Sequence, residues 1–152
     1  MTAEIAAGIF LALVLGFASL IDARRMILPD WLTLPLSPAG WALAWLEPEP
    51  TLTDRLIGSL CGFAALAGIA WIYRRVRGRD GLGMGDAKLL AGAGAWAGWQ
   101  ALPSVVLIGS VSALAWVLLR RPDPSQPIPF GPFLALGFWL AWRLGPLELV
   151  TS

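Results

Sequence analysis

Gly81-Leu82-Gly83-Met84-Gly85-Asp86-Ala87-Lys88 is a glycine-rich turn whose carboxylate stands where a cationic loop runs into an apolar segment. Upstream lies an arginine cluster, Arg74, Arg75, Arg77 and Arg79. Downstream, from Ala87 to Leu102, Lys88 is the only charge. An acid at such a border is costly if it enters a bilayer, and it is a functional-site candidate for that reason. The rest of the chain reads as scaffolding that brings a second acid, Asp22, to the same depth.

The composition fixes the class. Only 14% of the 152 residues are charged and the mean hydropathy is +0.70, far too apolar for an ordinary soluble domain of this size. The chain is expected to be an all-α polytopic membrane bundle, forming a single domain over residues 1–152. Its length suits about six spans of ~20 residues with short loops. The net charge of +1 carries no information about acidic partners, and no nucleic-acid partner is expected. The single cysteine, Cys61, excludes internal disulfides and cysteine-based zinc sites. Histidine is absent, which removes the commonest general base and metal ligand. Acid–base chemistry would fall to carboxylates, lysine or Tyr73.

Six apolar segments follow from the pattern. The first runs from about Ile5 to Ile21 and ends in Asp22-Ala-Arg-Arg; Glu4 on its flank gives it the wrong polarity for a signal peptide, so it reads as a retained span. The second, about Trp31 to Leu46, follows Pro29-Asp30, with Asp30 as an expected N-cap and Pro35 and Pro38 bending the helix early. The third, about Arg55 to Tyr73, carries Gly58, Gly62 and Gly68. The fourth, Ala87 to Leu102, has Gly94 and Gly98 at a spacing that lets neighbouring backbones approach closely. Pro103 is expected to turn the chain into a fifth segment ending at Leu119. A proline-rich loop, 122–132, then leads to a sixth from about Phe133 to Leu147. Several segments are short for a ~30 Å hydrocarbon core, so tilt or local thinning is expected.

With six spans, nine of the eleven basic residues fall on one side: Arg24, Arg25, Arg74, Arg75, Arg77, Arg79, Lys88, Arg120 and Arg121. Arg55 and Arg143 fall on the other, with Glu4, Glu47, Glu49, Asp54 and Glu148. By the excess of cations in cytoplasmic loops, both termini lie outside and Asp22 and Asp86 both reach the cytoplasmic border. Lipid would surround the bundle, and the site would face the cytoplasm.

Two carboxylates at one depth can share a site. Repulsion and partial desolvation would then leave a single shared proton near neutral pH. That suits an aspartyl protease, in which one acid takes a proton from water while the other polarises the scissile carbonyl. Gly83 and Gly85 would leave room for an extended substrate backbone. The bland alternatives also stand: the glycine turn as a helix start capped by Asp86, and Asp22 beside Arg24 and Arg25 as a charge-balanced helix end. Lys88, two positions after Asp86, points to nearly the opposite helix face and reads first as a snorkelling anchor, with a substrate contact as the second reading. Asp30→Asn is expected to cost little, since asparagine caps about as well. The nine tryptophans read mostly as interface belt and bundle packing. In the loop Pro127–Pro132 the prolines favour extended backbone. Pro129, Phe130 and Gly131 would line a substrate cleft, or the loop is simply a stiff connector.

Three stretches, taken together, resemble the type IV prepilin peptidases, integral-membrane aspartyl proteases of the GxGD class. They are Asp22-Ala-Arg-Arg-Met-Ile-Leu-Pro-Asp-Trp-Leu-Thr-Leu-Pro, Gly83-Met-Gly-Asp-Ala-Lys-Leu-Leu and Pro127-Ile-Pro-Phe-Gly-Pro-Phe-Leu-Ala. The stretch Gly94-Ala-Trp-Ala-Gly-Trp-Gln-Ala-Leu-Pro looks like that family as well. The resemblance implies that Asp22 and Asp86 are the two catalytic aspartates, that no metal or cofactor is used, and that the partners are prepilins or pseudopilins. The resemblance also implies the bacterial cytoplasmic membrane as location, with the short basic leader cut at its cytoplasmic face, after a glycine that precedes an apolar helix. Long members of the family carry a cytoplasmic domain with paired CxxC motifs and also N-methylate the product. This sequence has one cysteine and no such insertion, so it resembles the short, peptidase-core members and methyl transfer is not expected. Two other classes fit the residues alone: a non-catalytic subunit or transporter with the acids as a proton or cation relay, and a presenilin-type protease cutting within spans. The Pro-Asp after Asp22 and the Pro-Phe-Gly-Pro loop favour the prepilin class over the latter.

Overall fold

The computed structural model describes residues 2–78, 81, 83–123 and 127–145. Arg79, Leu82, Pro124 and the expected end of the sixth segment at Leu147 and Glu148 lie outside the described residues. Among those described, regular structure is entirely helical: α1 (Thr2–Arg25), α2 (Asp30–Thr33), α3 (Leu36–Ala42), α4 (Leu52–Arg77), α5 (Met84–Ala97), α6 (Leu102–Arg120) and α7 (Gly131–Leu144), with single 3-10 turns at Leu43–Trp45 and Trp99–Ala101.

Local chemistry sets the boundaries. α1 ends where Met26 takes φ 55°, a left-handed turn. The second segment breaks at Pro35, which caps α3, while Pro38 is tolerated in the first turn of that helix. α4 opens with a capping box: Thr51 Oγ1 accepts from the Asp54 amide at 3.2 Å and the Asp54 carboxylate accepts from the Thr51 amide at 3.3 Å. It closes at Gly78, φ 67°. The turn after α5 comes at Gly98, φ 78°, not at Pro103. Pro103 sits in the first turn of α6, where its missing N–H costs nothing.

Glu4–Arg25, Leu52–Arg77 and Trp99–Arg120 are long and apolar enough to cross a membrane. α5 and α7 have 14 residues each, about 21 Å at ~1.5 Å per residue, shorter than the hydrocarbon layer. Of the two, α5 is interior, and α7 buries one face. From Asp86 to Trp96 every α5 residue except Lys88 is buried, enclosed by α3, α4, α6 and α7. The long helices turn apolar side chains outward, with Leu13, Leu60 and Leu118 each at least 65% exposed. An apolar exterior around a packed interior is the signature of a bundle solvated by lipid.

α4 and α5 touch backbone to backbone. Gly58 and Gly94 face each other so closely that a Cβ on either would enter the other's main chain. That contact brings Arg55 over the end of α5, where it is fully buried. Its Nε donates to Pro50 O at 2.9 Å and its Nη1 to Gly40 O at 3.1 Å and Trp96 O at 2.8 Å. Arg55, expected as a loop cation, is instead an interior tie between α3, α4 and α5. Trp96 is one of the tryptophans that pack the bundle: its ring stacks on Phe10 and meets Phe138 and Trp142 edge-on, and its Nε1 donates to Leu36 O at 2.8 Å.

Candidate active site

Asp22 lies in the last turns of α1 and Asp86 in the first turn of α5. Both are buried, at 6% and 8% exposure. They line one cavity of about 400 Å3 at the same end of the bundle. Three segments wall it: Met26–Leu28 after α1, the glycine turn before α5, and Pro127–Phe130 before α7.

Each acid is fixed by its neighbours. The Gly131 amide at the start of α7 donates to Asp22 Oδ2 at 3.0 Å, a charge-assisted bond at the positive end of a helix. A Cβ on Gly131 would stand 2.6 Å from that oxygen, so only glycine lets the amide reach the carboxylate. Gly83 is the N-cap of α5, at φ −73°, and Asp86 is third in the helix, its amide donating to Gly83 O at 3.1 Å. Asp86 is therefore not the cap residue.

The two glycines of the turn do different things. A Cβ on Gly83 would meet nothing closer than Asp86 Oδ2 at 3.7 Å, so this position is open toward the cavity. At Gly85 a Cβ would sit 2.5 Å from Leu28 Cβ. Its bareness admits the loop after α1, and the residue also lines the cavity. Lys88 does not line the cavity. Its ammonium pairs with Asp30 Oδ1 at 2.5 Å, tying α2 to α5, and Asp30 makes no side-chain cap: the cap of α2 is Pro29. Tyr73 packs its ring on Gly81 and is not among the lining residues. Pro129 and Phe130 do line the cavity, and Gly131 touches it through Asp22.

The Gly131 amide, the Leu28–Gly85 approach and the Asp30–Lys88 pair had no signal in the sequence as read. A glycine directly after the Pro-x-Pro-Phe run could have been tried as a donor to a buried acid. No group of three His, Cys, Asp or Glu able to hold a metal occurs among the described residues. Two buried carboxylates lining one cavity are equipped to move protons between water and a carbonyl.

Residues 9–118 match the type IV leader peptidase family. The chain belongs to that family. The match includes both aspartates and the glycine turn. A prepilin leader peptidase/N-methyltransferase of Aeromonas salmonicida is 42% identical over 143 residues, 91% of this chain and 49% of that protein. Proteins of the same name from Pseudomonas aeruginosa and Burkholderia pseudomallei are 40% identical over 145 residues and 45% identical over 123. These alignments cover 91% and 78% of this chain, and 50% and 40% of those proteins. The chain thus spans about half the length of the curated relatives it matches. No solved structure matches it. As a type IV leader peptidase family member, it builds its acid cavity from three segments far apart in sequence, near residues 26, 83 and 128.

Proposed function

We propose that this chain is an aspartyl endopeptidase of the bacterial inner membrane, a single peptidase domain that removes the short basic leader of type IV prepilins or pseudopilins. The observation that carries the reading is the pairing of Asp22 and Asp86 on one open cavity, in a chain of the leader peptidase family. One carboxylate takes a proton from water, whose oxygen attacks the scissile carbonyl carbon. The other, protonated, donates to the carbonyl oxygen. Collapse of the resulting diol breaks the C–N bond as the leaving nitrogen takes up a proton. Gly83, Gly85, Pro129 and Phe130 line the path of the peptide, with Gly131 shaping it through Asp22; Lys88 acts from outside the cavity.

Orientation belongs to the same proposal. Arg24, Arg25, Arg74, Arg75, Arg77, Lys88, Arg120 and Arg121 lie at the helix ends around the acid cavity, and Arg143 lies near the opposite end of α7. That asymmetry supports a cytoplasmic acid end and termini on the other side. Only the peptidase half of the relatives' name is proposed, since the lone Cys61 provides no CxxC pair in these 152 residues.

The test is cleavage of a purified prepilin by the detergent-solubilised protein, with N-terminal sequencing of the product and a curated relative as positive control. A product beginning just after the glycine before the apolar helix is expected. No cleavage by folded protein, under conditions where the relative cuts, sinks the reading and leaves the proton-relay class.

A further inference from the structure

A second cavity, of about 370 Å3, opens beside the same end of α1. Phe17, Leu20, Ile21 and Arg24 line it, the i, i+3, i+4, i+7 stripe of one helix face. At ~100° per residue that stripe points away from Asp22, so the acid cavity and this groove lie on opposite faces of one helix end. Arg25, Pro29 and Trp31 complete the lining. The Phe17 and Trp31 rings meet with centroids 6.1 Å apart. Both are largely exposed, at 49% and 64%.

The charges are one-sided. Arg24 and Arg25 are exposed, no carboxylate is among the lining residues, and neither guanidinium bonds or pairs with another described residue. An apolar trough along a membrane-crossing helix thus ends in two unneutralised cations and an indole. A free phosphate would use the cations and leave the trough bare. A neutral lipid would fill the trough and leave the cations unmatched.

We propose that this groove seats an acidic phospholipid, its phosphate between Arg24 and Arg25 and an acyl chain along Phe17, Leu20 and Ile21. Guanidinium forks match phosphate oxygens, and juxtamembrane cations are attracted to anionic lipid headgroups. The seat is independent of the peptidase reading, because it uses none of the residues of the acid cavity.

Native mass spectrometry tests it on protein equilibrated in micelles with equal amounts of phosphatidylglycerol and phosphatidylcholine. Wild type should retain phosphatidylglycerol several-fold over phosphatidylcholine. Arg24→Gln/Arg25→Gln should abolish the preference, whereas Arg120→Gln/Arg121→Gln, the arginine pair ending α6, should keep it. Leu20→Trp, which fills the trough with the cations intact, should weaken retention too. Equal retention of both lipids by wild type, or an undiminished preference in Arg24→Gln/Arg25→Gln, overturns the proposal. Displacement of the lipid by millimolar inorganic phosphate overturns the acyl seat, leaving a bare anion site.

Discussion

Asp22 and Asp86 differ in how the fold holds them, and that difference can be probed one side chain at a time. Replacing either carboxylate by its amide keeps the shape and removes the acid. Asp22→Asn and Asp86→Asn should each abolish leader removal with melting temperature nearly unchanged; wild-type cleavage by either variant would rule out the pair. Gly131→Ala is the subtler change. Its Cβ would fall 2.6 Å from Asp22 Oδ2, so the carboxylate must shift. A misplacement of about 1 Å can cost on the order of 10²-fold in rate, and a loss of that order is expected in steady-state cleavage. Phe130→Ala should instead raise KM for the precursor while stability holds, as expected of a side chain that lines the cavity without touching either acid in any bond described. Unchanged kinetics in Phe130→Ala would reduce Pro127–Phe130 to a connector.

Between elements, the Asp30–Lys88 pair decides how the loop after α1 meets α5. The side chains are 60% and 23% exposed, so the pair contributes ~0–1 kcal/mol to stability. Its consequence is positional: it holds α2 against α5 beside the Leu28–Gly85 contact, and both contacts set the wall of the acid cavity. Asp30→Asn and Lys88→Gln are therefore expected to lower kcat several-fold with little change in melting. The exchange Asp30→Lys/Lys88→Asp should recover part of the loss. Wild-type kcat in both single variants would show that the Leu28–Gly85 contact alone is sufficient. The sequence reading had Asp30 as a cap because aspartate after proline at a helix start is commonly one. Which charge faces it depends on how α5 lies against α2, and no local rule contains that.

At the scale of the whole bundle, Arg55 closes the end opposite the acids. Arg55→Met would strip donors from the buried carbonyls of Gly40, Ala95 and Trp96. Each unsatisfied buried acceptor costs roughly 1–3 kcal/mol, so thermal melting should fall markedly. Cleavage per folded molecule should remain, because the acids sit at the other end of α5; loss of cleavage in folded protein would show that the two ends are coupled. Topology is tested by labelling single cysteines from outside. Positions 48–52 should react and positions 76–78 and 127 should not, and protection at 49 would invert the bundle.

Membrane class, six helical segments and the two acids at one end were legible in the sequence, because each rests on a local quantity: apolar length, proline and glycine punctuation, and cations at span ends. The three long spans identified themselves by hydropathy alone. The enclosure of the short α5 helix and the identity of each close contact were not legible. Gly98 rather than Pro103 turns the chain because a positive φ that glycine readily takes, not the missing donor, reverses its direction there. Gly85 serves Leu28, Gly131 serves Asp22, and Arg55 serves carbonyls of three segments beside the meeting of Gly58 and Gly94. Such pairings join residues up to 109 positions apart. Hydropathy and spacing say which residues must leave water, and only the packed bundle decides which of them touch.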